Sequence, residues 1–375
     1  MKIACVQTFP VDYCIDYVNA ITSLGEVVFL AADRQMRHYI DFVDPAVETV
    51  LLPWPRHRSP GNLRLIYRLR QEIRARDPDV IHFLGDGVSW LSLMPSLVGR
   101  RPVLVTVHDV MRHPGDTKSS MMPYAVTNLF HRQANRLVVH GESIRTLLAQ
   151  RAKRPLDQID IIPHPALRRY AEIARRQSLP PRSSDHRFRI LFFGRIMTYK
   201  GLPHLLDAME LLGADEHAYE LVVAGKGPGL DDVADRLRAP YICLHPGFIP
   251  DIDAARMFQE TDLVVLPYVE ASQSGILAMA AAFGRAVLVT DVGELGEIVR
   301  TTEMGLIVPP GDASALADAI RRVKENAMLK AELETKSAEA AETGALSPPV
   351  VASLAQNAYR RAIAGGSSLK RAQTA

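Results

Sequence analysis

Short apolar runs recur along the chain, each closed by a glycine, proline or polar turn and followed by a stretch of helical spacing. In the first half this pattern predicts strands at 2–8, 26–30, 47–52, 79–84, 102–108, 136–140 and 159–163. Between them it predicts helices at 62–76, from the 85–87 turn through 97, and at 142–151. The 62–76 helix sets Leu65, Ile66, Leu69 and Ile73 on one side and Arg64, Arg68, Arg70, Arg74 and Arg76 over much of the rest. A basic helix over 167–177 leads to SLPPRSSDH at 178–186, which has the composition of a linker. The pattern then restarts, with strands at 188–193, 219–224, 241–244, 263–266, 286–290 and 306–308, and helices between them. A last helix is expected at 348–364, and 367–375 reads as a loose tail. Strand and helix in alternation imply parallel sheets with right-handed crossovers, whose ligands lie beyond the carboxyl ends of the strands.

One strand end stands out chemically. In FRILFFGRIMTYKG, at 188–201, an apolar strand runs into Gly194 and Arg195, and Lys200-Gly201 precedes an amphipathic helix at 202–212. A glycine there admits a ligand close to the backbone, and the helix start attracts anions. Arg195 and Lys200 add two cations, so the loop has the outline of a phosphate site. It is not a Walker A loop, since Lys200 precedes its glycine and no GxxxxGK[ST] occurs. A basic turn in any doubly wound sheet is the plainer alternative.

Three further segments follow in order: TDLVVLPY at 261–268, ASQSGILAMAAAFGRAVLVTDVGELGEIV at 271–299 and MGLIVPPGDASALADAI at 304–320. With the first, this series resembles the nucleotide-binding domain of family 4 glycosyltransferases, strongly in the second half of the chain and more loosely in the first. The resemblance implies an α/β chain of the GT-B fold, with two Rossmann-like domains facing across a cleft and a C-terminal helix crossing back to the first. The expected divisions are an acceptor-side domain at 1–170, a linker at 171–187, a nucleotide-sugar domain at 188–345, and a crossover helix with tail at 346–375.

The function so implied is retaining transfer of a sugar, of hexosyltransferase type, from a nucleotide-diphosphate sugar to a lipid-linked or surface-polysaccharide acceptor. A non-catalytic GT-B-like scaffold is the alternative, and a sugar-nucleotide epimerase of the same fold is a third reading that the order of the phosphate loop does not support. Catalytic roles fall on Arg195, Lys200 and His108; the segment VHDVMRHPGD resembles the family's loop whose histidine reaches the donor sugar. His113 in the same segment reads as a turn-side polar residue, and His164 as a satisfied structural histidine. Donor contacts are expected from Gly194, from Gly225, Lys226 and Gly227, and from Glu270, Ser272, Gln273, Ser274 and Gly275. The SQSG amides open an alanine-rich helix at 276–283 and, with the two cations, would stabilise charge on a leaving pyrophosphate. No cofactor or metal is expected, because no Asp-x-Asp pair or histidine cluster sits at a strand end.

The sequence departs from the family in one respect. Relatives carry two glutamates eight positions apart, toward the sugar and the ribose. Counting back from Gly284, those places hold Ala271 and Met279; counting forward from Glu270, the second holds Ala278. Glu270 is the candidate stand-in for the first, and Glu294 and Glu297 are the other nearby carboxylates, Glu297 in a structural role. The first loop also lacks the paired glycines that many members bring to the donor sugar.

Composition narrows the setting. The 375 residues are 47% hydrophobic and 23% charged, which is ordinary for a globular protein and long enough for two cores. Residues 1–180 hold 24 Lys+Arg against 17 Asp+Glu, a net of +7, and the rest 20 against 25, a net of −5. The basic half could face an anionic bilayer or lipid phosphate, or merely carry solvated helix faces. No nucleic-acid partner is expected. Three cysteines, Cys5, Cys14 and Cys243, make no disulfide framework or metal spacing, which fits a reducing cytoplasm. The apolar run after Lys2 is too short for a signal peptide, and nothing is long enough to span a membrane. A cytoplasmic place is expected, with peripheral attachment at the inner membrane face as its variant.

Overall fold

The computed structural model describes residues 1–55, 59, 61–110, 124–180 and 187–372. Its strands are β1 (Lys2–Val6), β2 (Glu26–Ala32), β3 (Val47–Leu52), β4 (Val80–Phe83), β5 (Val103–Thr106), β6 (Arg136–Val139), β7 (Ile159–Ile161), β8 (Phe188–Arg195), β9 (Tyr219–Lys226), β10 (Ile242–Pro246), β11 (Leu263–Leu266), β12 (Ala286–Thr290) and β13 (Gly305–Val308). The α-helices are α1 (Val11–Ala20), α2 (Asp33–Met36), α3 (Gly61–Arg76), α4 (Met94–Leu97), α5 (Tyr124–Gln133), α6 (Glu142–Ala152) and α7 (Arg168–Arg176). They continue with α8 (Leu202–Leu211), α9 (Asp251–Glu260), α10 (Gly275–Ala282), α11 (Gly293–Thr302), α12 (Ala313–Glu325), α13 (Ala327–Glu342) and α14 (Pro348–Ala372).

These elements form two units. Of the described residues, the first takes those up to Pro165 and again from Pro348, and the second those within Ala166–Ser347. The first unit's sheet has the order β3-β2-β1-β4-β5-β6-β7 and the second's β10-β9-β8-β11-β12-β13. Every pairing in both is parallel. Central strands such as β4 and β11 are buried at every residue, as strands covered on both faces require, so their sequences run apolar rather than alternating. Strand order reverses between β1 and β4 and between β8 and β11, which makes the carboxyl ends of those strands the natural ligand crevice of each sheet.

The last helix belongs to the first unit. Val351, Ala355, Ala358, Tyr359 and Ala362 recur at helical spacing and are all buried in the same apolar cluster as α1. Tyr359 places its hydroxyl 3.1 Å from that of Tyr17 and 3.0 Å from Nδ1 of His82. The expected loose tail from 367 is instead helical as far as Ala372. The expected helix from the 85–87 turn to 97 is also different, a 3-10 turn at Ser89–Leu93 and the single turn of α4. There the chain is pinned first, because Thr8 Oγ1 donates to the carbonyl of Gly85 at 2.7 Å, and a Cβ on Gly85 would lie 3.0 Å from the carbonyl of Thr8. On α3, Leu65, Leu69 and Ile73 are buried and Arg64, Arg68 and Arg74 exposed, but Leu63 and Tyr67 also face outward, 75% and 57% exposed. His113 and the core of the linker, 181–186, lie outside the described residues.

Candidate active site

In the second unit the loop after β8 is built by close backbone approach. Gly225 stands opposite Gly194 in the β8–β9 ladder, and a Cβ on it would sit 1.8 Å from the carbonyl of Gly194. A Cβ on Gly227 would sit 2.0 Å from that of Ile196, whose own N–H donates to Lys226 O at 2.8 Å. These glycines are thus required by the packing of β9 against β8, whatever they do for a ligand. Gly201, at φ +71°, lies under the loop after β11, where a Cβ would meet Pro267 O at 1.9 Å, and Val269 N donates to Tyr199 O at 2.8 Å. The loops after β8 and β11, at the point where strand order reverses, are therefore locked together.

Between them lies Lys200. It is 8% exposed, and its Nζ donates to the Tyr268 hydroxyl at 2.8 Å and lies 4.6 Å from the centre of that ring. The Tyr268 hydroxyl is in turn 3.4 Å from Ser274 Oγ, which caps α10 by accepting from Ile276 N–H at 3.3 Å. A Cβ on Gly194 would sit 3.9 Å from Lys200 Nζ and 3.3 Å from Ile276 Cδ1, so the bare backbone at Gly194 opens onto both the ammonium and the first turn of α10. Arg195 and Lys226, neighbours in the ladder, are exposed beside them. A buried ammonium, a capped helix start and two exposed cations come together here, an arrangement that attracts anions. Tyr268 is the residue that pattern reading passed over, as the aromatic tail of an apolar run.

The 270–275 loop is held from below. A Cβ on Gly293 would meet Ala271 O at 1.9 Å, and Glu294 N donates to Ser272 O at 3.2 Å. Glu270 is exposed, Ser272, Gln273 and Gly275 are half-buried, and Ser274 is buried. Ala278 and Met279, which occupy the second glutamate's place under either count, are both 2% exposed and lie in the apolar cluster behind α10. That place has become core. Glu294, in the first turn of α11, is 1% exposed, while Glu297 is exposed.

In the first unit His108 follows β5, as expected, but is enclosed. It is 2% exposed, with Nε2 2.9 Å from Leu84 O and Nδ1 2.8 Å from His140 Nε2. Phe9 stacks on it at 3.4 Å between centroids. Both ring nitrogens are engaged within the unit, so a hydrogen bond to a sugar would first have to break one of these. His164 is likewise buried, with Nδ1 2.8 Å from Pro165 O. Burial pushes the pKa values of His82 and His164 down to about 3. Among the described residues, no three His, Cys, Asp or Glu are grouped to hold a metal, and no helix is long and apolar enough to cross a membrane.

Two parallel doubly wound units, one with basic residues gathered at its switch point, define a GT-B protein. Among solved structures, HepE of Anabaena in complex with UDP-glucose superposes with a TM-score of 0.69 at 18% identity, over 95% of this chain and 99% of that one. The fold alone does not choose the chemistry, for a putative UDP-N-acetylglucosamine 2-epimerase of Listeria monocytogenes shares it at a TM-score of 0.59 and 14% identity, over 94% of both chains. Sequence does choose. Residues 12–166 match the model of Glycosyltransferase Family 4, and residues 187–326 that of Glycosyl transferases group 1. The chain belongs to this family and is a glycosyltransferase. It is 25% identical to the alpha-D-kanosaminyltransferase of Streptomyces kanamyceticus, over 74% of this chain and 75% of that protein. It is 26% identical to the phosphatidyl-myo-inositol mannosyltransferase of Mycobacterium tuberculosis, over 88% and 89%.

Proposed function

We propose that this glycosyltransferase takes its sugar from a nucleotide-diphosphate donor, held by its phosphates at the carboxyl end of the second unit's sheet. The observation that carries this reading is Lys200, a buried ammonium fixed by Tyr268 against the open backbone of Gly194 and the start of α10. Fixed donors of this kind stabilise a leaving pyrophosphate without reorganising, and one is worth about 3–4 kcal/mol in the transition state. Arg195 serves as the second cation, and the amides of Ser272, Gln273, Ser274 and Gly275 complete the site. Gly225, Lys226 and Gly227 lie on the nucleotide side, and Glu270 serves the sugar. Because side-chain cations and amides meet the charge, no metal is required. Transfer proceeds with retention, the leaving phosphate taking the acceptor's proton on the same face, and His108 is the residue of the first unit assigned to this step.

The acceptor in this proposal is a lipid-linked or surface-polysaccharide intermediate. The relative named phosphatidyl-myo-inositol mannosyltransferase supports a lipid acceptor. So does α3, where exposed Leu63 and Tyr67 sit among exposed Arg64, Arg68 and Arg74, a combination suited to an anionic bilayer. Neutralising the three arginines should abolish sedimentation with acidic vesicles, at about 1 kcal/mol per charge. Unchanged sedimentation would make them plain solvated charge. The donor is tested with a panel of nucleotide sugars scored for slow hydrolysis without acceptor. Hydrolysis of one names the donor, and hydrolysis of none removes the proposed site.

A further inference from the structure

At the carboxyl ends of β5 and β6 the rings of His108 and His140 meet, Nδ1 of the first 2.8 Å from Nε2 of the second. Their outer nitrogens each face a backbone carbonyl, His108 Nε2 at 2.9 Å from Leu84 O and His140 Nδ1 at 2.9 Å from Ile162 O. A carbonyl can only accept, so both outer nitrogens must carry hydrogen. A neutral imidazole has a single N–H. Two neutral rings so oriented would point lone pairs at each other across the bridge, which is repulsive at that distance. A third proton between them turns the repulsion into a charge-assisted hydrogen bond. We infer that His108 and His140 together hold three ring protons and one positive charge, and that His140 is a positioning residue for glycosyl transfer, acting through His108.

The surroundings suit a buried cation. Phe9 lies flat against His108, with ring planes 7° apart, so its π face meets the imidazole, and Tyr13 stands at right angles to His108 with 4.6 Å between ring centres. Among the described residues, the titratable groups around the pair include Tyr13 on α1, His82 on β4, His164 after β7, 5.5 Å from His140 between ring centres, and the exposed Asp109 next to His108. Burial, then the charge on His140, holds His82, His108 and His164 below the ordinary histidine range. Burial thus opposes any charge here, and the one proton is held by the two carbonyls and the nitrogen bridge, while its own field resists a second. A positive charge at this strand end acts on a ligand through its field, which His108 can supply without giving up either hydrogen bond.

The functional half of this inference rests on the transfer reading above; the proton count does not. Nitrogen-15 NMR of the full-length protein labelled in its histidine rings, without ligand, reads the count directly. Three ring N–H groups in the pair at neutral pH, one strongly deshielded and absent from His140→Gln, are expected. Two N–H groups would overturn it. Donor hydrolysis, with the nucleotide sugar found in the panel, reads the role. Wild-type turnover should fall as pH rises through the pair's deprotonation, because the active form is the protonated one. His140→Gln should lack that limb and turn over at least about tenfold more slowly, a smaller loss than for a direct oxyanion donor. Its donor KM should stay within about twofold. A variant that keeps the wild-type rate or the alkaline limb would refute the positioning role; His140→Asn replaces it if Gln does not fold. If no nucleotide sugar is hydrolysed, the transfer reading fails, and the spectrum still decides the proton count.

Discussion

The two units share one topology, yet the polar clusters beyond their sheet ends are opposites. In the first, His82, His108, His140 and His164 are all at most 5% exposed and spend their ring nitrogens on Thr106, Tyr359, backbone carbonyls and each other. In the second, Lys200 is nearly as buried, but among the described residues its ammonium makes one hydrogen bond, and Arg195 and Lys226 stand exposed beside it. An ammonium has three N–H groups, so Lys200 keeps donors to spare. A polar cluster that satisfies itself contributes to the fold and can act on a ligand only through its field. One that leaves donors unspent, and cannot lose them to bulk water, is fitted to bind an anion.

Acid should separate the two most sharply. His82 and His164 are neutral in the folded chain down to about pH 3, whereas in the unfolded chain they titrate near 6.5. Between those values the unfolded state binds more protons, so stability is complete above about 6.5 and is lost as pH falls toward 3. The slope is roughly 1.4 kcal/mol per pH unit for each histidine. Urea midpoints measured at pH 7, 6 and 5 should fall steadily; a flat series would mean that the histidine cluster is not closed to water.

Next in size, Lys200→Met should lower turnover about 10²–10³-fold, as loss of an aimed donor does, while the methionine keeps the buried volume. A variant with normal turnover would put the anion elsewhere. Tyr268→Phe should leave Lys200 in place but unanchored. A hydrogen bond to a charged group is worth about 1.5–3 kcal/mol, so turnover should drop by about one order of magnitude or somewhat more. Equal rates would make Tyr268 a packing residue only. The smallest effect concerns the ribose. With Ala278 and Met279 in the core, a 2′,3′-dideoxy nucleotide diphosphate should bind within about tenfold of the ordinary one in calorimetry. A hundredfold gap would show that a carboxylate does reach the ribose, and Glu270 and Glu294 would be the ones to change.

The open cluster was largely legible in the sequence, because its parts are local. An apolar strand, Gly194, Arg195 and Lys200 fall within one short loop, and the SQSG turn opens the next helix but one after β9. The closed cluster was not. His82, His108, His140 and His164 each sit at the end or within a different strand, and only the parallel crossovers bring them together. His164 read singly as a structural histidine and His108 as a sugar contact, while His82 and His140 passed only as members of their strands. Tyr268 was hidden for another reason, since an aromatic after LVVLP looks like core whether or not its hydroxyl has work. Helix α14 ran past its expected end because the serines at 367 and 368, which read as the start of a tail, are carried in a helix already anchored at Tyr359.

That anchor bears on how the protein is made. Synthesis proceeds from the amino end, and a leading domain can usually fold while the remainder is still being translated. Here Tyr17 and His82 find their partner in Tyr359, more than 270 residues after His82, and α1 lies bare until α14 arrives. The first unit is therefore completed only after the whole second unit has been made. A nascent chain that stalls before Pro348 would present an open apolar groove to chaperones and proteases.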